Sequence, residues 1–106
     1  MKYLGLIVSL LALMILPAQA QEQDPIRHGH TLAQEFCGSC HAIGAHGRSP
    51  HRAAPPLRNL GRTVDLDGFA RVLGSGVLPT HPDMPQFKFH YQDALDLRDY
   101  LRTIQE

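Results

Sequence analysis

The chain has 106 residues, enough for one small domain and too few for two with separate cores. Ten Lys and Arg balance ten Asp and Glu, so nothing in the charge favours a nucleic-acid partner. Two cysteines exclude a disulfide-rich scaffold, and with no tryptophan some of the apolar bulk is expected from outside the sequence.

Met1-Lys2 supplies a positive start, Tyr3 to Leu16 is almost unbroken apolar sequence, and Pro17-Ala18-Gln19-Ala20 ends in a small-x-small pattern. This reads as a cleaved secretory signal over residues 1–20, leaving a domain of residues 21–106 in the periplasm. The apolar run is several residues short of the roughly 20 that a spanning helix needs, so no stable membrane insertion is expected after cleavage. Loss of Lys2 makes the mature chain about one unit negative. About 86 residues bury only a thin core, so a metal or a large prosthetic group is expected to supplement it.

The first helix is expected from Ile26 or His28 to Phe36 or Cys37, with Leu32, Ala33, Phe36 and Cys37 on one side. Gly29 is a poor helix former, and its place early in the element points to close packing against another backbone. From Ala42 to Arg62 glycine, proline and histidine break any periodicity, and a loop of that length in a small domain is expected to wrap around something. It has no acidic residue but holds Arg48, Arg52, Arg58 and Arg62. Asp65 or Asp67 can cap a short helix with Leu66, Phe69, Val72 and Leu73 as its buried set, ending at Gly74 or Gly76. The segment VLPTHPDMPQF, with Pro79, Pro82 and Pro85, is neither regular helix nor central strand. In the last helix Ala94, Leu97, Leu101 and Ile104 step by three and four, with Leu95 and Tyr100 widening the stripe. Asp93 and Asp96 near its start and Arg98 and Arg102 nearer its end agree with the helix dipole. The fold class is all-α, three to four helices with long loops.

Cys37-Gly38-Ser39-Cys40-His41 matches C-x-x-C-H, the pattern for covalent c-type haem attachment. Two thiols one helical turn apart can add to two vinyl groups on one porphyrin edge, and the adjacent histidine then turns towards the iron. A closed zinc site wants four ligands, and no second cysteine pair exists. A thioredoxin-like redox site needs a βαβ context that the pattern lacks. With His41 on one face of an iron, the sixth ligand is sought among His46, His51, His81, Met84 and His90. Met84 is favoured because it sits in the stiff Pro82-Asp83-Met84-Pro85 segment, with His81 as its competitor. His28, His30, His46, His51 and His90 are read as surface side chains. His and Met together saturate the iron, so such a site moves single electrons and is not an enzyme active site.

With these features the chain resembles the class I monohaem cytochromes c, the small soluble bacterial kind, over nearly all of the expected mature length. Gly29, eight residues before Cys37, the Ala54-Pro55-Pro56-Leu57 segment, Met84-Pro85-Gln86-Phe87 and Asp99-Tyr100-Leu101 carry the resemblance beside the C-x-x-C-H motif. It implies a cytochrome c fold wrapped around one covalent haem c, with Cys37 and Cys40 as tethers and His41 and Met84 as iron ligands. It also implies that the Pro55 carbonyl accepts the ring N–H of His41 and that Tyr100 packs near Gly29. Ala33 stands where the family often has an aromatic residue, so the ring contact between terminal helices is expected to be reduced. Arg58 or Arg62 is a candidate contact for a haem propionate. The resemblance implies a monomeric periplasmic electron carrier that docks transiently with redox partners, between a dehydrogenase or quinol-oxidising complex and an oxidase or reductase. The alternatives are a dedicated subunit of a periplasmic dehydrogenase and, further off, a haem sensor or peroxidase with an open distal site.

Overall fold

The computed structural model of the chain describes residues 24–76 and 81–106. The expected signal segment, residues 1–20, therefore lies outside the described residues, as does the Val77-Leu78-Pro79-Thr80 part of the extended segment. Three α-helices and one 3₁₀ turn make up the regular structure, with no strand among the described residues, so the all-α class holds. Among those residues no helix is long and apolar enough to cross a membrane.

Helix α1, Pro25–Phe36, starts where Asp24 caps it: the carboxylate accepts the Ile26 N–H at 3.0 Å, and Pro25 fills a first-turn position that needs no donor. Helix α2, Leu66–Ser75, is capped by Asp65, which accepts the Gly68 N–H at 3.0 Å. It stops at Gly76, whose φ of 77° is left-handed and costs glycine little. Helix α3, Tyr91–Ile104, is the longest. The 3₁₀ turn Leu57–Arg62 precedes α2 and is pinned by Gln105, which donates to the Leu57 carbonyl at 2.9 Å and accepts from the Gly61 N–H at 2.7 Å.

Helices α1 and α3 pack face to face, and α2 lies against α3. Gly29 is the point of closest approach: a Cβ there would overlap the Asp96 carbonyl oxygen and come within 2.7 Å of Tyr100 Cβ. Only a residue without a side chain allows the two backbones this near. The core is Leu32 and Ala33 of α1, Ala70 and Leu73 of α2, Ala94, Leu97, Tyr100 and Leu101 of α3, with Leu57 and Phe89 from the connections.

Two histidines expected at the surface also join the helices: His30 is exposed as expected, while His28 is half-buried. His28 Nδ1 lies 2.7 Å from Asp96 Oδ2, and Gln92 donates to the other carboxylate oxygen at 2.9 Å, so the one buried charged group among the described residues is satisfied. Ala33 is fully buried. A ring contact between the terminal helices nevertheless persists, because His30 packs on Tyr100 with centroids 5.0 Å apart. Between α2 and α3, Arg98 and Arg102 converge on Asp67 at 3.1 and 2.6 Å. The hydrogen bond and charge of Asp99, with Asp67 adding to them, raise the Arg98 guanidinium above its ordinary range against the effect of burial.

Gly29→Ala should therefore destabilise the protein by about 3 kcal/mol or more, since the obstruction is backbone and cannot swing away. A denaturant titration reads this directly. Tyr100 donates its hydroxyl to the Ile43 carbonyl at 2.6 Å, and burial pushes its phenol up from the ordinary 10.0. The buried neutral form is favoured, so its contribution is complete below about pH 10 and is lost as pH rises through the raised native value. Tyr100→Phe should cost about 1 kcal/mol at neutral pH, and the gap to wild type should narrow above about pH 10.

Candidate functional site

The C-x-x-C-H motif begins where α1 ends. Cys37 N–H still bonds the Ala33 carbonyl at 2.9 Å, and the Cys37 carbonyl accepts from both Cys40 at 3.2 Å and His41 at 2.9 Å. One further turn is thereby wound after the helix, which sets the two thiols and the imidazole at successive steps of a single bend. The cysteines are not joined to each other. Burial pushes the Cys37 thiol up to about 11, so it is a neutral, weakly nucleophilic group. That environment is the reverse of the one a thiol-redox pair needs.

Cys37, Cys40, His41, Pro55 and Met84 all line one cavity of about 1020 Å³. Its walls are mostly carbon: Phe36 from the end of α1, Leu57 and Leu60 from the 3₁₀ turn, Phe69, Val72 and Leu73 from α2, Leu97 and Leu101 from α3, and Phe87 from the last connection. Phe69 and Val72, part of the expected buried set of α2, are half-buried and line this cavity. Phe36 and Val64, two of the large apolar side chains that remain exposed, line it too. The cavity opens to solvent, so in the chain alone these carbon walls face water, and covering them with an apolar group would be favourable. The walls therefore fit a bulky apolar occupant with a ligand-binding centre.

The loop after the motif is fastened along its length. Ala42 N–H bonds Ser49 Oγ at 2.9 Å, His51 N–H bonds the Cys40 carbonyl at 3.0 Å, and Leu57 N–H bonds the Ala42 carbonyl at 2.9 Å. These bonds bring Pro55 beside His41, whose Nδ1 lies 2.7 Å from the Pro55 carbonyl oxygen. A carbonyl only accepts, so Nδ1 carries the proton and the neutral ring keeps its lone pair on Nε2.

Downstream, His81 and Met84 both border the cavity. The Asp83 N–H donates to His81 Nδ1 at 3.3 Å. An amide only donates, so the neutral His81 ring carries its proton on Nε2, and neither nitrogen is free to bind a metal in that arrangement. His51, read from the sequence as a surface residue, also borders the cavity and reaches Asp83. Arg58 and Arg62 do not: Arg58 donates to the Gly47 carbonyl at 2.9 Å, and both lie about 4 Å from Glu106. The arginine that does border the cavity is Arg71, which sequence reasoning missed because it belongs to α2 and not to the arginine-rich loop.

A helical domain that wraps a C-x-x-C-H turn and a histidine with a free Nε2 around an apolar cavity has the architecture of a c-type cytochrome. A similar protein is cytochrome c-552 of Bradyrhizobium diazoefficiens, 31% identical over 78 residues, which span 73% of this chain and 72% of the relative. The chain belongs to the cytochrome c family. No family model matches it, and no solved structure gives a significant match.

Proposed function

We propose that this chain is a class I monohaem cytochrome c, a one-electron carrier of the periplasm whose residues 21–106 form the working domain after removal of residues 1–20. One haem c is held by thioether links to Cys37 and Cys40, with His41 and Met84 as iron ligands. When bound, the haem supplies a single-electron iron couple, as in the family to which the chain belongs.

The observation that carries this reading is the 2.7 Å contact between His41 Nδ1 and the Pro55 carbonyl, which leaves Nε2 available beside a cavity bordered by both cysteines. The same contact fixes the ring and strengthens it as a metal ligand. Met84 is favoured over His81 as sixth ligand because the His81 Nδ1 is already an acceptor for Asp83. A thioether ligand and dry carbon walls both favour the reduced iron and raise the potential. With two protein ligands the iron has no open position for substrate, which supports electron transfer over bond chemistry. Arg71, 4.0 Å from the exposed Asp65, is the cation best placed for a propionate. Redox partners would dock transiently, with the protein as a monomer.

A visible spectrum of the purified periplasmic protein tests this. The expected result is a low-spin c-type spectrum that carbon monoxide leaves unchanged. Met84→Ala should make the reduced protein bind carbon monoxide and lower its potential, whereas an unchanged spectrum would point to His81. Absence of covalent haem would overturn the reading. Replacing both Cys37 and Cys40 by serine should leave the chain largely unfolded in circular dichroism, because the cavity walls then lack their occupant.

A further inference from the structure

The proposed iron ligands come from two segments far apart in the chain, and the second has no regular structure. Residues 81–85 hold themselves together locally, with the Met84 N–H on the His81 carbonyl at 3.2 Å and the Asp83 N–H on His81 Nδ1. Among the described residues, their side-chain hydrogen bonds to the rest of the protein run through a single residue, His51. Its ring Nε2 lies 3.4 Å from Asp83 Oδ2, and its ring meets that of His81 edge-on with centroids 6.5 Å apart.

His51 is itself held at both ends. Its backbone N–H bonds the carbonyl of Cys40, the neighbour of His41. Its Nδ1 accepts the Ala53 N–H at 3.2 Å. Because that amide can only donate, the proton of the neutral ring is on Nε2, where it points to the Asp83 carboxylate. One residue therefore connects the peptide beside His41 with the side chain beside Met84, in the tautomer the connection needs.

We propose that His51 is a positioning residue that, with Asp83, clamps the Met84 segment over the cavity and sets how readily Met84 is displaced from the iron. The clamp rests on the His41/Met84 reading above and extends it. It acts on Met84 through Asp83. Both side chains are partly exposed, 38% and 63%, so the effect is modest, up to about fivefold in a ligand-exchange equilibrium.

The test is imidazole titration of the oxidised holoprotein, following loss of the sulfur-to-iron charge-transfer band as imidazole replaces Met84. His51→Ala and Asp83→Ala should each raise the apparent affinity for imidazole about two- to fivefold, and the double variant should go no further than either single one. His51→Gln, whose side-chain amide can still donate to Asp83, should return most of the way to wild type. Wild-type affinity in both alanine variants, additive effects in the double variant, or a glutamine variant as loose as alanine would each overturn the clamp. A wild-type protein that lacks the charge-transfer band overturns the methionine ligation itself, and the clamp with it.

Discussion

The close approach of α1 and α3 at Gly29 governs the rest of the structure. Asp96 and Tyr100 of α3 meet the glycine directly, so the two helices are held at a fixed separation and register. Register matters because Cys37 follows from the end of α1 while Leu97 and Leu101, the two largest fully buried side chains, project from α3. Moving one helix past the other by a residue would shift the attachment turn relative to the wall it faces. His28 with Asp96 reinforces the same interface on polar terms, and Tyr100 with Ile43 ties α3 to the following loop, each with its partner in hydrogen-bond distance. The second of these also anchors the start of the loop that carries Pro55.

A protein of this size has few apolar side chains to spend, and this one divides them between two surfaces. Ala70 turns α2 towards the core, Phe69 and Val72 on the same helix border the cavity, and Leu73 serves both. Leu97, Leu101 and Leu57 contribute to the core and the cavity wall together. The core proper is accordingly thin, and Phe36 and Phe87 at the cavity wall meet Phe89 of the core, with ring centroids 5.2 to 6.0 Å apart. In the proposed holoprotein the haem completes both surfaces, so cofactor retention and folding stability are one quantity. The loop of residues 42–56 follows the same economy: side-chain and backbone bonds to the helices and the 3₁₀ turn replace the apolar contacts it lacks.

The helices were legible in the sequence because their signals are local. Asp65 at the start of α2 and Gly76 at its end act within one turn, and the stripe through Leu97 and Leu101 needs only a 3.6-residue period. Gly29 was legible as a packing point for the same reason that it works: a poor helix former in a helix implies a near neighbour. The Pro55–His41 contact followed from a resemblance. What stayed hidden depends on partners far along the chain. Nothing near His28 announces Asp96, 68 residues away, and nothing near His51 announces Asp83, 32 residues away. The apolar period of α2 likewise could not show that half its stripe faces a cavity, since periodicity reports which side is dry and not what dries it. Arg71 was passed over because charge density along the chain drew attention to the loop, where Arg58 and Arg62 are engaged by Glu106.

The histidines show how little residue type decides and how much the partner of one ring nitrogen does. His41, His51 and His81 all border the same cavity, so proximity does not distinguish them. At His41 the partner of Nδ1 is a carbonyl, which holds the proton there and frees Nε2 as a donor to a metal. At His51 and His81 the partner is a backbone N–H, which holds the lone pair at Nδ1 and sends the proton to Nε2. The latter pair are therefore hydrogen-bond donors at their outer nitrogen, suited to a carboxylate such as Asp83 and unsuited to iron. For either ring to bind a metal it would first have to release its backbone bond, either to free Nδ1 or to let the proton move there from Nε2. In this way the loop geometry that folds residues 51–53 and 81–83 also separates a ligand from its rivals, and it does so with peptide groups that side-chain substitution leaves in place.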